Sequence, residues 1–196
     1  LTNLVQAFRD GLPAALASAR RYWRFLSATL AFILLSAPFV TVIPEAAFLV
    51  LLGAPITAYA ALQLAGRSLA IRLEHRGRAE WVLGVAGGLY GGISGVWGPP
   101  LMVLLLSTAV PRAEMMRVQG VVFLLGSVAL LAAHVSSGVM NAATVPFSAF
   151  LALPAFVGML IGMRLGARLD QARFRWWTQV LLVLTGLNLM RRALLS

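Results

Sequence analysis

Residues Gly87–Pro100 read GGLYGGISGVWGPP, and they interrupt the apolar run of residues 81–110, WVLGVAGGLYGGISGVWGPPLMVLLLSTAV. Glycine and proline are the poorest helix formers, so a chain that places them here breaks a helix where hydrophobicity is highest. The meaning of that break depends on what surrounds it.

The surroundings are those of a membrane protein. Hydrophobic residues make up 60% of the 196 and charged residues 11%, with a mean hydropathy of +0.88. A soluble domain carries roughly 45 to 50% apolar residues. The 16 basic residues, all Arg, outnumber 6 acids and give a net charge of +10. They fall in short clusters between apolar segments instead of forming a stripe, which argues against nucleic-acid binding. With no Cys, disulfides, thiolate metal sites and thiol chemistry are excluded.

Five segments are expected to span: residues 25–43, 46–66, 118–138, 144–163 and the shorter 176–190, flanked by Trp176, Trp177, Arg191 and Arg192. Arg9, Arg20, Arg21 and Arg24 precede the first span. Arg67, Arg72, Arg76 and Arg78 follow the second, and Arg164, Arg168, Arg173 and Arg175 separate the last two. The positive-inside rule places these three loops in the cytoplasm, leaving Arg191 and Arg192 outside against the trend.

This orientation requires residues 81–110 to begin and end on the cytoplasmic side. A straight helix of that length, about 45 Å, emerges on the wrong face, and two full crossings need about 40 residues. A re-entrant hairpin fits: inward to about Ser94, a turn near Gly95 to Pro100, then back out. Non-helical backbone at membrane depth must be enclosed by protein or line a cavity. Pro99 and Pro100 suit the first turn of the returning helix, whose positive end would face an anion at the bilayer middle. Two ridges, Gly84, Gly88, Gly92 and Gly87, Gly91, Gly95, have a competing reading as simple helix-packing surfaces.

The fold class expected is therefore all-α: five spans plus one Gly/Pro-broken re-entrant hairpin, arranged as an inverted repeat. Residues 1–66 form the remainder of a first repeat, 67–80 a cytoplasmic loop and 81–196 the second repeat. The spans 25–43 and 46–66 run opposite in sense to 144–163 and 176–190, and Pro44-Glu45-Ala46-Ala47-Phe48 sets against Asp170-Gln171-Ala172-Arg173-Phe174. On this reading LTNLVQAF is the end of a span, and about 50 residues, by span length, are expected before Leu1.

GGLYGGISGVWGPPLMV, together with LPAFVGMLIGMRLGARLDQARFRWWTQVLLVLTGL from Leu153 to Leu187, resembles the second half of the TauE/SafE sulfite exporter family of bacterial membrane transporters. The resemblance implies a multi-pass protein of the bacterial inner membrane that moves sulfite, sulfonates or related sulfur-containing anions. By matching position it carries over Gly95, Gly98 and Pro100 as backbone elements of a substrate site. Trp97 and Pro99 stand where the family pattern has small residues.

Chemistry alone adds Ser94 and Trp97, the indole being able to narrow the site, donate to an oxyanion or stack on a flat acid. Gln119 and Ser127 in the following span, and Asn3 and Gln6 in its counterpart, are uncharged hydrogen-bonding candidates. Interhelical hydrogen bonding is their alternative role. His134 is a proton-coupling candidate because an ionisable group within a span invites a function, but it lies four residues from the span's end at Gly138, which favours snorkelling or a neutral structural role. No metal cluster, catalytic constellation or cofactor motif appears, so an enzyme is not expected. The expected partners are a small anionic solute and the bilayer, with homo-oligomerisation left open. The rival reading is a non-transporting membrane scaffold or subunit of a larger complex.

Overall fold

In hydrocarbon a backbone must satisfy its own hydrogen bonds, and among the described residues every regular element is a helix. The computed structural model describes residues 2–67, 75–108, 110–142, 144–166 and 171–195. Arg72, Arg168 and Asp170, and residues 68–74 of the expected cytoplasmic loop, lie outside them. The helices are α1 (Thr2–Phe8), α2 (Leu12–Arg21), α3 (Trp23–Ser36, continued by a 3-10 turn over Ala37–Thr41), α4 (Glu45–Leu64), α5 (Arg76–Ser94), α6 (Gly98–Ser107), α7 (Arg112–Ser136), α8 (Thr144–Gly166) and α9 (Gln171–Leu195).

Three described segments are long and apolar enough to cross a membrane: Trp23–Thr41, Glu45–Leu64 and Ala113–Ser136. They correspond to the first three expected spans. The other two expected spans lie in α8 and α9, which are helical, with Thr144–Gly158 a shorter apolar stretch.

By packing, the chain divides into two units that cut across the sequence halves. One comprises residues 1–42 and 69–137, the other residues 43–68 and 138–196.

In the first unit the two glycine ridges of α5 face different neighbours. Gly84, Gly88 and Gly92 lie against α3: a Cβ at Gly88 would stand 2.6 Å from both the Phe32 Cβ and the Thr29 carbonyl oxygen. The hydroxyls of Thr29 and Ser36 donate to the carbonyls of Gly84 (3.2 Å) and Gly88 (3.1 Å). Both contact series rise together in number, so α3 and α5 run parallel. Gly87 and Gly91 instead face Pro100 and Trp97, and α6 folds back antiparallel along α5. Gly120 of α7 receives α1, where a Cβ would stand 2.8 Å from the Gln6 Cβ. The core between these helices is built from Tyr22, Phe25, Ile33, Leu101, Leu104 and Val118, all buried.

Ion pairs gather at one end of this unit, where α2 and α5 carry their arginines. Arg21 pairs with Glu114 (2.7 Å), Arg117 with Asp10 (2.6 Å) and Arg76 with Glu80 (2.8 Å). The Glu80 hydrogen bond outweighs burial and raises the Arg76 pKa above its ordinary value.

The second unit rests on an antiparallel crossing of α4 and α9. A Cβ on Gly53 would lie 2.6 Å from the Gly186 carbonyl oxygen, so the two backbones touch. Glu45, at the start of α4, lines one recess with Arg192. A carboxylate at that end offsets the charge that Arg191 and Arg192 place against the positive-inside trend. Helix α8 begins on a reciprocal cap, Asn141 N–H to Thr144 Oγ1 (2.9 Å) and Thr144 N–H to Asn141 Oδ1 (3.0 Å).

The α3–α5 seam leaves no room for a side chain, so Gly88→Leu is expected to cost at least about 1–3 kcal/mol by overpacking. Gly158, with nothing within 4 Å of an added Cβ, should accept Ala. Thermal unfolding of the two purified variants, read by near-UV circular dichroism, checks the contrast.

Candidate functional site

The break is short and its local chemistry is largely satisfied. Ser94 closes α5: its hydroxyl donates to the Tyr90 carbonyl (2.7 Å) and accepts from the Val96 N–H (3.1 Å). Gly95 follows at φ 71°, a left-handed conformation that costs other L-residues roughly 1–2 kcal/mol, and its N–H reaches the Gly91 carbonyl (2.7 Å). Two residues later Trp97 is the N-cap of α6, with Gly98, Pro99 and Pro100 forming the first turn as expected.

A helix start leaves four amides unpaired, and here two of them are prolines with no N–H. This reduces the cost of beginning a helix in an apolar medium. The backbone donors remaining for a ligand are those of Trp97 and Gly98. The ten residues of α6 span about 15 Å, half of a hydrocarbon core of about 30 Å.

Trp97 fills the break. Its ring is 3% exposed and lies between two glycines: an added Cβ would approach it to 2.8 Å at both Gly91 on α5 and Gly126 on α7. Phe123 packs on the indole at 5.6 Å between centroids, and the edge of its ring lies over Gly98. The indole Nε1–H is buried without an acceptor. A buried unpaired donor of this kind costs about 1–3 kcal/mol. In this conformation the indole is a packed plug rather than the wall of an open cavity.

The remaining candidates fall on different sides of α7. Gln119 faces α6, where its amide reaches the Met102 sulfur (2.6 Å), and Phe123 and Gly126 share that face. At about 100° per residue, Arg117, Gly120, Val121 and Leu124 form the opposite face, toward α1 and α2. Asn3 and Gln6 belong to that second side. Gln6 lies against Gly120 and Asp10 pairs with Arg117, so α1 is antiparallel to α7 and Asn3 stands level with Phe123 but across the helix. Ser127 is exposed. His134 is half-buried eight residues beyond Gly126, about 12 Å toward the C-terminal end of α7, with Nε2 unpartnered. The structure thus gathers Ser94, Gly95, Trp97, Gly98, Pro99, Pro100 and Gln119 around the break and leaves Asn3, Gln6, Ser127 and His134 elsewhere.

Phe123, Gly126 and Met102 are the contributors that sequence reasoning missed. Gly126 had a signal, since a glycine inside a strongly apolar helix marks a close approach. Among the described residues no three His, Asp or Glu side chains stand close enough to hold a metal.

A sequence model of the family described as "Sulfite exporter TauE/SafE" matches residues 1–189. No curated protein and no solved structure matches the chain. The match takes in the broken helix, the three spans and both glycine-packed seams, and the family is one of membrane transporters, not enzymes. By that coverage, with its apolar helices, this multi-pass membrane protein belongs to the sulfite exporter TauE/SafE family.

Proposed function

We propose that the chain is a secondary exporter of small oxyanions, sulfite or a sulfonate, across the bacterial inner membrane, with its solute site at the break between α5 and α6. One observation carries this reading: a buried indole donor without an acceptor sits beside the positive end of α6, which the proposed re-entrant hairpin would start near the bilayer middle. An oxyanion supplies the acceptor that Trp97 lacks, and the amides of Trp97 and Gly98 are its other donors. Gln119, on the same face of α7, lies next along α6.

The proposed architecture is five spans and a re-entrant hairpin in two inverted repeats. An axis in the membrane plane pairs equivalent spans as antiparallel neighbours, and two pairs behave so: α1 with α7 at Gly120, and α4 with α9 at Gly53 and Gly186. Rocking of one repeat against the other gives alternating access. The rival reading, a scaffold in which the glycines only pack, is favoured by the tight α3–α5 seam and the satisfied hydroxyl of Ser94.

Trp97→Phe separates the two, because it keeps the ring and removes the donor, whereas Trp97→Ala empties a buried site at a cost of about 3–5 kcal/mol. In proteoliposomes of full-length protein loaded with radiolabelled sulfite or a small sulfonate, saturable flux is expected to fall about tenfold or more in Trp97→Phe. Unchanged flux in a variant that melts higher would mean the donor was only a stability cost and would remove the break as the site. Absence of flux for either anion in folded wild type would contradict the substrate class and favour the scaffold.

A further inference from the structure

Among the described residues, the three ion pairs of the first unit are built differently. In Arg21–Glu114 the side chains are 49% and 17% exposed, and in Arg76–Glu80 they are 41% and 4% exposed. The carboxylate is the less exposed member of each. In Arg117–Asp10 the order reverses, with Arg117 at 19% and Asp10 at 42%. Opening either of the first two pairs uncovers a negative charge; opening the third uncovers a fixed positive one.

Arg117 is held by more than its counter-ion. Its Nε donates to the hydroxyl of Ser18 (2.9 Å), a buried residue of α2, so the guanidinium keeps its place when Asp10 leaves. Asp10 is the more mobile partner by position, one residue before Gly11, which turns the chain between α1 and α2 at φ 86°. Nearby, Arg9 reaches the Met116 sulfur (3.9 Å) and pairs with no carboxylate among the described residues. Gln6, four residues before Asp10, lies against Gly120 of α7, and Asn3 is three residues further back on the same face of α1.

We propose that Arg117 is a capture site for a small oxyanion at the cytoplasmic foot of the α1–α7 seam, and that the Asp10 carboxylate occupies it in the absence of solute. The planar guanidinium binds a carboxylate and a sulfur oxyanion through the same paired donors, so one can replace the other. Gln6 and Asn3 are the next uncharged hydrogen-bonding groups inward from it. This rests on the reading of the chain as an anion transporter, but its test does not require flux.

Full-length protein is placed in nanodiscs of phosphatidylcholine, which keeps anionic lipid headgroups off the site, and its melting temperature is followed as sodium sulfite replaces chloride at constant ionic strength. Asp10→Asn is expected to reach half its stabilisation at about three- to tenfold less sulfite than wild type. Arg117→Gln should need about three- to tenfold more sulfite than wild type, the response that remains being that of the break, and Glu114→Gln, which opens a pair whose arginine is exposed, should titrate like wild type. Asp10→Asn and Arg117→Gln titrating like wild type would overturn the proposal, as would Glu114→Gln shifting as far as Asp10→Asn, or no response in either wild type or Asp10→Asn. If these variants behave as expected while Trp97→Phe leaves flux untouched, the capture site stands and the break is what falls.

Discussion

An interrupted helix cannot face lipid, because each backbone group it frees costs several kcal/mol in hydrocarbon. The rest of the first unit follows from enclosing that interruption. Glycines at 84, 88 and 92 let α3 close on one side of α5 with backbone-distance contacts, and glycines at 87 and 91 let α6 return on the other. Prolines at the start of α6 remove two donors that would otherwise be stranded. The space left is taken by one large ring, Trp97, seated between Gly91 and Gly126. The donor on that ring is a buried side-chain group of the break that the fold leaves unanswered, and so it carries the functional argument.

Helix α7 links this enclosure to the charged end. One of its faces, with Gln119, Phe123 and Gly126, serves the break; the other, with Arg117 and Gly120, serves α1 and α2. Displacement of α1 and α2 from α7 therefore leaves the packing around Trp97 in place, while a rotation of α7 changes both faces.

Much of the local structure was legible in the sequence. Apolar length identified three spans, the run WGPP placed a helix start within a residue or two, and four-residue glycine spacing marked both ridges of α5. These are features of neighbouring residues, which periodicity records. Partners more distant in sequence were not legible. Nothing in the spacing joins Asp10 to Arg117 across 107 residues, Gln119 to Met102, or Gly53 to Gly186. Trp97 shows the limit most clearly: its donor was foreseen as a site group, but not that its ring would be buried between glycines of two helices. Asn3 and Gln6 were grouped with the break by equivalence of spans, and the structure sets them across α7 because a helix has two sides.

The central claim is that α5 and α6 enter and leave on the same side of the membrane. Residues 1–196 include no Cys, so a cysteine introduced among them is the single thiol they carry. Arg78→Cys, Thr108→Cys and Met140→Cys, each in full-length protein in intact cells, are treated with a membrane-impermeant maleimide before and after permeabilisation. The account predicts that Cys at 140 labels from outside while Cys at 78 and at 108 label only once the cytoplasmic face is opened. Labelling at 108 from outside would show that the segment crosses the bilayer, and the re-entrant hairpin, with the site built on it, would be wrong.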